Sequence, residues 1–194
     1  DSSSDGAAPD ACTSPVRNTK RPGSAGTQQL LKGMPLSTIY PRPIRDIHQI
    51  ELTTLCQLRC VYCPSPHLPR PKENMLWETF LAALDLVRHY VQQGSQTELS
   101  LTGIGESLMH PQFVEAVAEA RAVIGPDRPL VITTNGLLLD EAMCRDLAPF
   151  RPQVFVSLHR PEKAGPAVEL AKKYGILHGV NASAAISAFN WAGQ

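Results

Sequence analysis

Apolar positions between residues 48 and 182 follow two alternating periods. His48–Leu55 reads as an extended strand. In Leu76–Gln93 the apolar residues Phe80, Leu84, Val87 and Val91 recur at helical spacing, and Gly94 suits the end of such a helix. Glu98–Thr102 predicts a second strand. Gln112–Val123 predicts a helix behind Pro111, since proline is tolerated where a helix starts. Leu130–Thr134 is a third strand, and Asp140 stands where it would cap a helix running to Leu147. Val154–Leu158 is a fourth strand, Glu162–Tyr174 a helix backed by Gly175, and Ile176–Ala182 a fifth strand. This β-α alternation with short links favours an α/β fold. Its sheet is parallel, with helices outside and right-handed crossovers.

Residues 1–45 lack either period. Ser, Gly, Ala, Pro and Thr dominate the first 28 positions, and such a segment buries too little surface to offset its ordering entropy. Met34–Ile44, with Pro35, Pro41 and Pro43, reads as an extended lead-in. The expected organisation is therefore a flexible tail over 1–45 and a core domain over 46–194. The 18 Lys and Arg balance the 18 Asp and Glu, so a large nucleic-acid or membrane footprint is not expected. No apolar run approaches the roughly 20 residues that span a bilayer. Asp1–Pro9 has neither the basic nor the apolar stretch of a signal peptide, so the expected location is the cytoplasm.

Three of the five cysteines fall within eight residues, Cys56-Gln-Leu-Arg-Cys60-Val-Tyr-Cys63. That crowding points to metal rather than to a disulfide framework. Three thiolates on one loop suit three corners of a cuboidal iron–sulfur cluster. They also suit zinc, which would need a fourth ligand such as His67 or Cys144. A third reading is three small buried side chains with no ligand. Cys144 falls within a helix and fits a buried apolar role. Cys12 falls in the tail, where a ligand role is not expected.

The C-x3-C-x2-C spacing, with Tyr62 just before the last cysteine, resembles the signature of the radical S-adenosylmethionine (radical SAM) superfamily. The resemblance runs from about Ile47 to Asn190. It implies a partial (β/α) barrel and a [4Fe–4S] cluster on Cys56, Cys60 and Cys63. It further implies S-adenosylmethionine bound through its amine and carboxylate to the unligated iron, and cleavage of that cofactor to a 5′-deoxyadenosyl radical. Tyr62 would shield the cluster. Leu101-Thr-Gly-Ile-Gly-Glu106 resembles the family element that contacts the cofactor's amino group. Gly105 and Glu106 match its last two positions, while Ile104 and Ser107 depart from it.

The resemblance extends along the later strand ends, where parallel sheets place ligands. Thr134 and Asn135 are candidates for cofactor or substrate contact, or form a plain strand-ending turn. Ser157 faces the opposite side from Val156 and Leu158 and stands where relatives contact the cofactor. His159 stands where many relatives carry Asp. Val180 and Asn181 are candidates to flank the adenine. Pro64–Pro71 reads as a stiff extended loop, either walling the site or serving as a connector. Arg59 and His67 are near the cluster with no assigned part.

The family core usually has six strands, and only five are counted here, with none evident by Phe189–Gln194. The motif style is similar to branches that modify peptides or activate enzymes, so the leading expectation is a maturase acting on a peptide or protein. A small-molecule substrate is the other option. The implied electron donor is a flavodoxin or ferredoxin. Two other classes stand beside this: a non-catalytic metal-binding module, and a degenerate barrel that binds a partner.

Overall fold

A computed structural model describes residues 46–60 and 62–182. The tail and its lead-in, Cys12, and the segment after Ala182 lie outside the described residues. Within them stand four strands, β1 (Leu99–Ser100), β2 (Leu130–Thr134), β3 (Gln153–Leu158) and β4 (Leu177–Ala182). The helices are α1 (Trp77–Gln92), α2 (Phe113–Ile124), α3 (Glu141–Leu147) and α4 (Pro161–Lys173). The sheet is parallel throughout, in the order β1-β2-β3-β4. Neighbours in consecutive parallel order need a crossover between each pair, and right-handed crossovers put successive helices on one face. The result is an unclosed α/β sheet of the partial-barrel kind.

The helices form where the apolar period foretold them. Phe80, Leu84 and Val87 of α1 are buried, and so are Phe113, Ala116, Val117 and Ala120 of α2. They pack with Leu130, Ile132, Val154 and Val156 of the sheet in one core. Asp140 caps α3, its carboxylate accepting the Met143 N–H at 2.8 Å. Gly94 and Gly175 follow α1 and α4 at φ of 91° and 69°, a left-handed geometry that glycine adopts without a Cβ penalty. Cys144 is fully buried in the core, where burial and the nearby Asp140 and Glu141 charges push its thiol up to about 11.

Two strands differ from expectation. His48–Leu55 begins as one: Ile50 N–H donates to Ser100 O at 2.9 Å, and Ser100 N–H to His48 O at 2.8 Å. Past Glu51 the chain leaves that ladder and pairs with a returning segment. Met75 N–H donates to Leu52 O at 2.8 Å and Thr54 N–H to Glu73 O at 3.0 Å, with one antiparallel bridge at Thr53–Asn74. Backbone groups engaged in this return cannot also extend the parallel sheet. The second departure is β1, shorter than Glu98–Thr102. There the Thr133 N–H donates to the Thr102 hydroxyl at 2.9 Å, so a side chain ends the ladder. Pro64–Pro71 also differs from a fully extended loop, since Ser65–His67 forms a 3-10 turn.

Candidate cofactor and metal site

The carboxyl ends of β1, β2 and β3 and the loop that follows Leu55 enclose a cavity of about 250 Å³. Cys56, Cys60 and Cys63 line it as free, half-buried thiols. Burial pushes the Cys56 thiol up, and the Glu106, Cys60 and Cys63 charges add to this against a hydrogen bond from Leu58 N–H. Tyr62 also lines the cavity. Burial and the Cys60 thiol push its hydroxyl up, so it stays protonated. That hydroxyl lies 2.9 Å from Nε2 of His159, a half-buried side chain whose pKa burial lowers.

Glu106 is 3% exposed, and three donors hold it. The Thr134 hydroxyl donates to Oε1 at 2.7 Å, the Asn135 N–H to Oε2 at 2.8 Å, and the Leu108 N–H to Oε1 at 3.4 Å. A carboxylate has about four acceptor sites, so one is left for a ligand. Burial pushes the Glu106 carboxyl up, against those hydrogen bonds. Its own N–H donates to Leu55 O at 2.7 Å. Glu106 therefore ties the end of β1 to the end of β2 and to the chain entering the cysteine loop. Asn135 continues the link: its amide lies 3.9 Å from the Cys56 sulfur and accepts from Gln57 at 3.3 Å.

Gly105 is required by close packing. A Cβ there would sit 2.0 Å from the Thr53 carbonyl oxygen, and backbone cannot move aside as a flexible side chain can. Ser157, 5% exposed, adds a hydroxyl to the lining from the end of β3.

The structure thus brings Cys56, Cys60, Tyr62, Cys63, Gly105, Glu106, Thr134, Asn135, Ser157 and His159 to one cavity. Asn181 is exposed, beside Ser157 in the β3–β4 register, and is not among the lining residues. Arg59 and His67 are exposed on the loop, and Pro64 is the one residue of the proline-rich stretch in the lining. Two residues that sequence reasoning missed are Glu51 and Arg70. The Glu51 carboxylate accepts the N–H groups of Ile104 and Gly105 at 2.6 and 3.1 Å. Arg70 donates to it through both terminal nitrogens at 2.6 and 3.0 Å. The only sequence signal is an acid next to apolar Ile50 within the predicted strand His48–Leu55, which is too common to single out.

A family model described as the radical SAM superfamily matches residues 50–179. The chain belongs to the radical SAM superfamily. Superfamily members work with a [4Fe–4S] cluster and S-adenosylmethionine. A GTP 3′,8-cyclase of Heliobacterium modesticaldum is 30% identical over 148 residues, covering 73% of this chain and 43% of that protein. Molybdenum cofactor biosynthesis protein 1 of Drosophila melanogaster is 39% identical over 115 residues, 58% of this chain and 19% of its own length. A tungsten-containing aldehyde ferredoxin oxidoreductase cofactor-modifying protein of Pyrococcus furiosus is 32% identical over 99 residues, 51% of this chain and 26% of its own. The chain thus spans less than half the length of these curated relatives.

Among solved structures, BtrN in complex with S-adenosylmethionine and 2-DOIA superposes with a TM-score of 0.61 at 17% identity. The match covers 74% of this chain and 58% of BtrN. Hexahistidine-tagged anSMEcpe with bound S-adenosylmethionine gives a TM-score of 0.54 at 21% identity, over 69% of this chain and 41% of its own. These likenesses establish the radical SAM fold. No described helix is long and apolar enough to cross a membrane.

Proposed function

We propose that this chain is the core of a radical SAM enzyme. In this reading Cys56, Cys60 and Cys63 each ligate one iron of a [4Fe–4S] cluster, and S-adenosylmethionine lies along Gly105, Glu106, Thr134, Asn135 and Ser157. The carrying observation is that the three thiols and the polar strand ends line a single cavity. The donor set fits a cluster better than one ion. Three half-buried thiols on one loop match three irons of a cuboid, one thiolate at each, whereas a single structural zinc ion would want a fourth protein ligand. Burial first, and then the neighbouring Glu106, Cys60 and Cys63 charges, push the Cys56 thiol up; a cation among the sulfurs opposes both, because metal binding favours thiolate.

With its cofactor bound, such a cluster supplies one-electron cleavage of a carbon–sulfur bond to give a 5′-deoxyadenosyl radical. This chain's residues do the holding. Glu106 keeps Thr134 and Asn135 at fixed positions on the rim, and its remaining acceptor site suits the cofactor's ammonium. Asn135 sits against Cys56 and steadies the loop. Tyr62, protonated and hydrogen-bonded to His159, covers the cysteine loop and limits water near it, which favours a low-potential state.

The sequence relatives are named for cofactor biosynthesis and for GTP cyclisation. They favour a small-molecule substrate such as a nucleotide or cofactor precursor over the peptide expected from motif style. The electron donor in this reading is a flavodoxin or ferredoxin.

The test is anaerobic reconstitution, dithionite reduction, addition of S-adenosylmethionine, and chromatography for 5′-deoxyadenosine. Slow formation is expected alone, and faster formation with GTP if a purine nucleotide is the substrate. No product above a cluster-free control, from protein with a full cluster complement, removes the enzymatic reading.

A further inference from the structure

The turn Gly103–Glu106 forms part of the cavity wall, yet a side chain from outside that wall controls its backbone. Glu51 is not among the cavity's lining residues, and its side chain is 23% exposed. Its Oε1 atom accepts both successive amides of the turn, Ile104 N–H and Gly105 N–H, along with one Arg70 nitrogen. Its Oε2 accepts the other Arg70 nitrogen at 2.6 Å. Two consecutive N–H groups on one carboxylate fix the orientation of two consecutive peptide planes. No peptide bond here is cis, and in a trans peptide the carbonyl points opposite to the N–H. Anchoring the amides of Ile104 and Gly105 to Glu51 therefore turns the carbonyls of Gly103 and Ile104 away from it. The same turn carries Glu106, whose carboxylate sets Thr134 and Asn135.

The space around Glu51 is built for this contact. A Cβ on Gly103 would meet the Glu51 side chain at 2.2 Å from Cγ and 2.4 Å from both Cδ and Oε1, its three closest neighbours. Gly103 is thus kept bare by Glu51, as Gly105 is kept bare by the Thr53 carbonyl. Arg70 closes the arrangement from the loop after the cysteines, with the two-pronged geometry that only arginine offers a carboxylate.

We infer that Glu51, held by Arg70, is a positioning residue for S-adenosylmethionine. It presents the Gly103 and Ile104 carbonyls and the Glu106 carboxylate to the cofactor's ammonium group. A hydrogen bond from a charged group is among the stronger ones, so a turn free to rotate its peptides loses much of the ammonium's binding. This inference rests on the radical SAM reading above and adds to it a residue pair that touches neither cluster nor cofactor.

The experiment uses the full chain, reconstituted and reduced anaerobically. S-adenosylmethionine is titrated while the electron paramagnetic resonance spectrum of the cluster is followed, with iron and sulfide measured on each preparation. Glu51→Ala is expected to keep its iron and to bind S-adenosylmethionine about tenfold more weakly, the loss of one such hydrogen bond. Gly103→Ala, which displaces Glu51 by its Cβ, is expected to weaken binding similarly in the otherwise native chain. Added to Glu51→Ala it is expected to change affinity less than about twofold, since coupled residues act non-additively. Binding by iron-replete Glu51→Ala within twofold of the native chain overturns the inference, and so does full additivity of the two substitutions. If Glu51→Ala fails to fold, Arg70→Ala with unchanged affinity overturns it equally. A native chain that takes up no cluster or shows no spectral response to S-adenosylmethionine removes the radical SAM reading itself, and the positioning role falls with it.

Discussion

At the scale of single residues, the site combines side chains that advertise themselves with side chains that do not. The cysteines are legible because their ligand spacing is local. Glu51 is not, because its partners lie 19 and 53 positions away and nothing in the intervening sequence points back to it. Glu106 was legible by position, but its three protein donors were not, since they come from Leu108 and from the end of β2. Two predictions belong here. Cys60→Ala should lose its iron while Cys144→Ala, a substitution in the apolar core, keeps it. Iron analysis after identical reconstitution checks this, and full retention in Cys60→Ala contradicts the ligand assignment. The second concerns pH. Burial raises the Glu106 carboxyl above its ordinary value of 4.5, so over the interval from 4.5 up to its folded value the native state binds more protons than the unfolded one. Its contribution to stability is then greatest below 4.5 and declines as pH rises through that interval. Glu106→Gln should remove this decline, seen as a flatter dependence of the urea midpoint on pH. An unchanged slope would mean the carboxyl titrates normally.

At the scale of elements, helices obeyed their apolar period more faithfully than strands did. α1, α2, α3 and α4 begin and end within a residue or two of expectation because caps and glycines are local signals. The extended segment over 48–55 has strand-like sequence, but strand pairing is decided by what lies alongside. Here the returning residues 73–75 capture it. That detour also carries the chain past Gly105 at a distance that admits no side chain. Gly105→Ala should therefore push the turn off Thr53 and destabilise the fold by more than the 0.5–1.5 kcal/mol or so of an off-rotamer strain, because the obstacle is a carbonyl oxygen. Chemical denaturation measures it, and a loss below about 0.5 kcal/mol would contradict the packing. Asp140→Ala removes only the cap of the seven-residue α3 and should cost about 1 kcal/mol, read in the same assay.

At the scale of the whole molecule, the described core is an open sheet whose polar strand ends collect on one rim. Alternating β and α patterns made the parallel sheet and its class legible, while the number of strands was not, since the earliest one diverges. S-adenosylmethionine bound across that rim would touch β1, β2, β3 and the cysteine loop at once, so it should stabilise the fold as a unit. At a ligand concentration 100 times the Kd the gain is about 2.7 kcal/mol. A thermal shift that grows with S-adenosylmethionine in the cluster-loaded protein is the expected result, and no shift at saturation would argue against binding at this rim.

The Asn135–Cys56 contact bears on how the protein comes together in time. It joins residues 79 positions apart, whereas the bond that ends the β1–β2 ladder joins residues 31 apart. Closing a longer loop costs more chain entropy, and contacts of greater sequence separation slow folding. Neighbouring strands should therefore zip first and the cysteine loop should dock onto a nearly finished sheet. Iron delivered to a nascent chain would meet three thiols without their seat. Metal insertion is then expected to follow folding, with the docked loop as the acceptor.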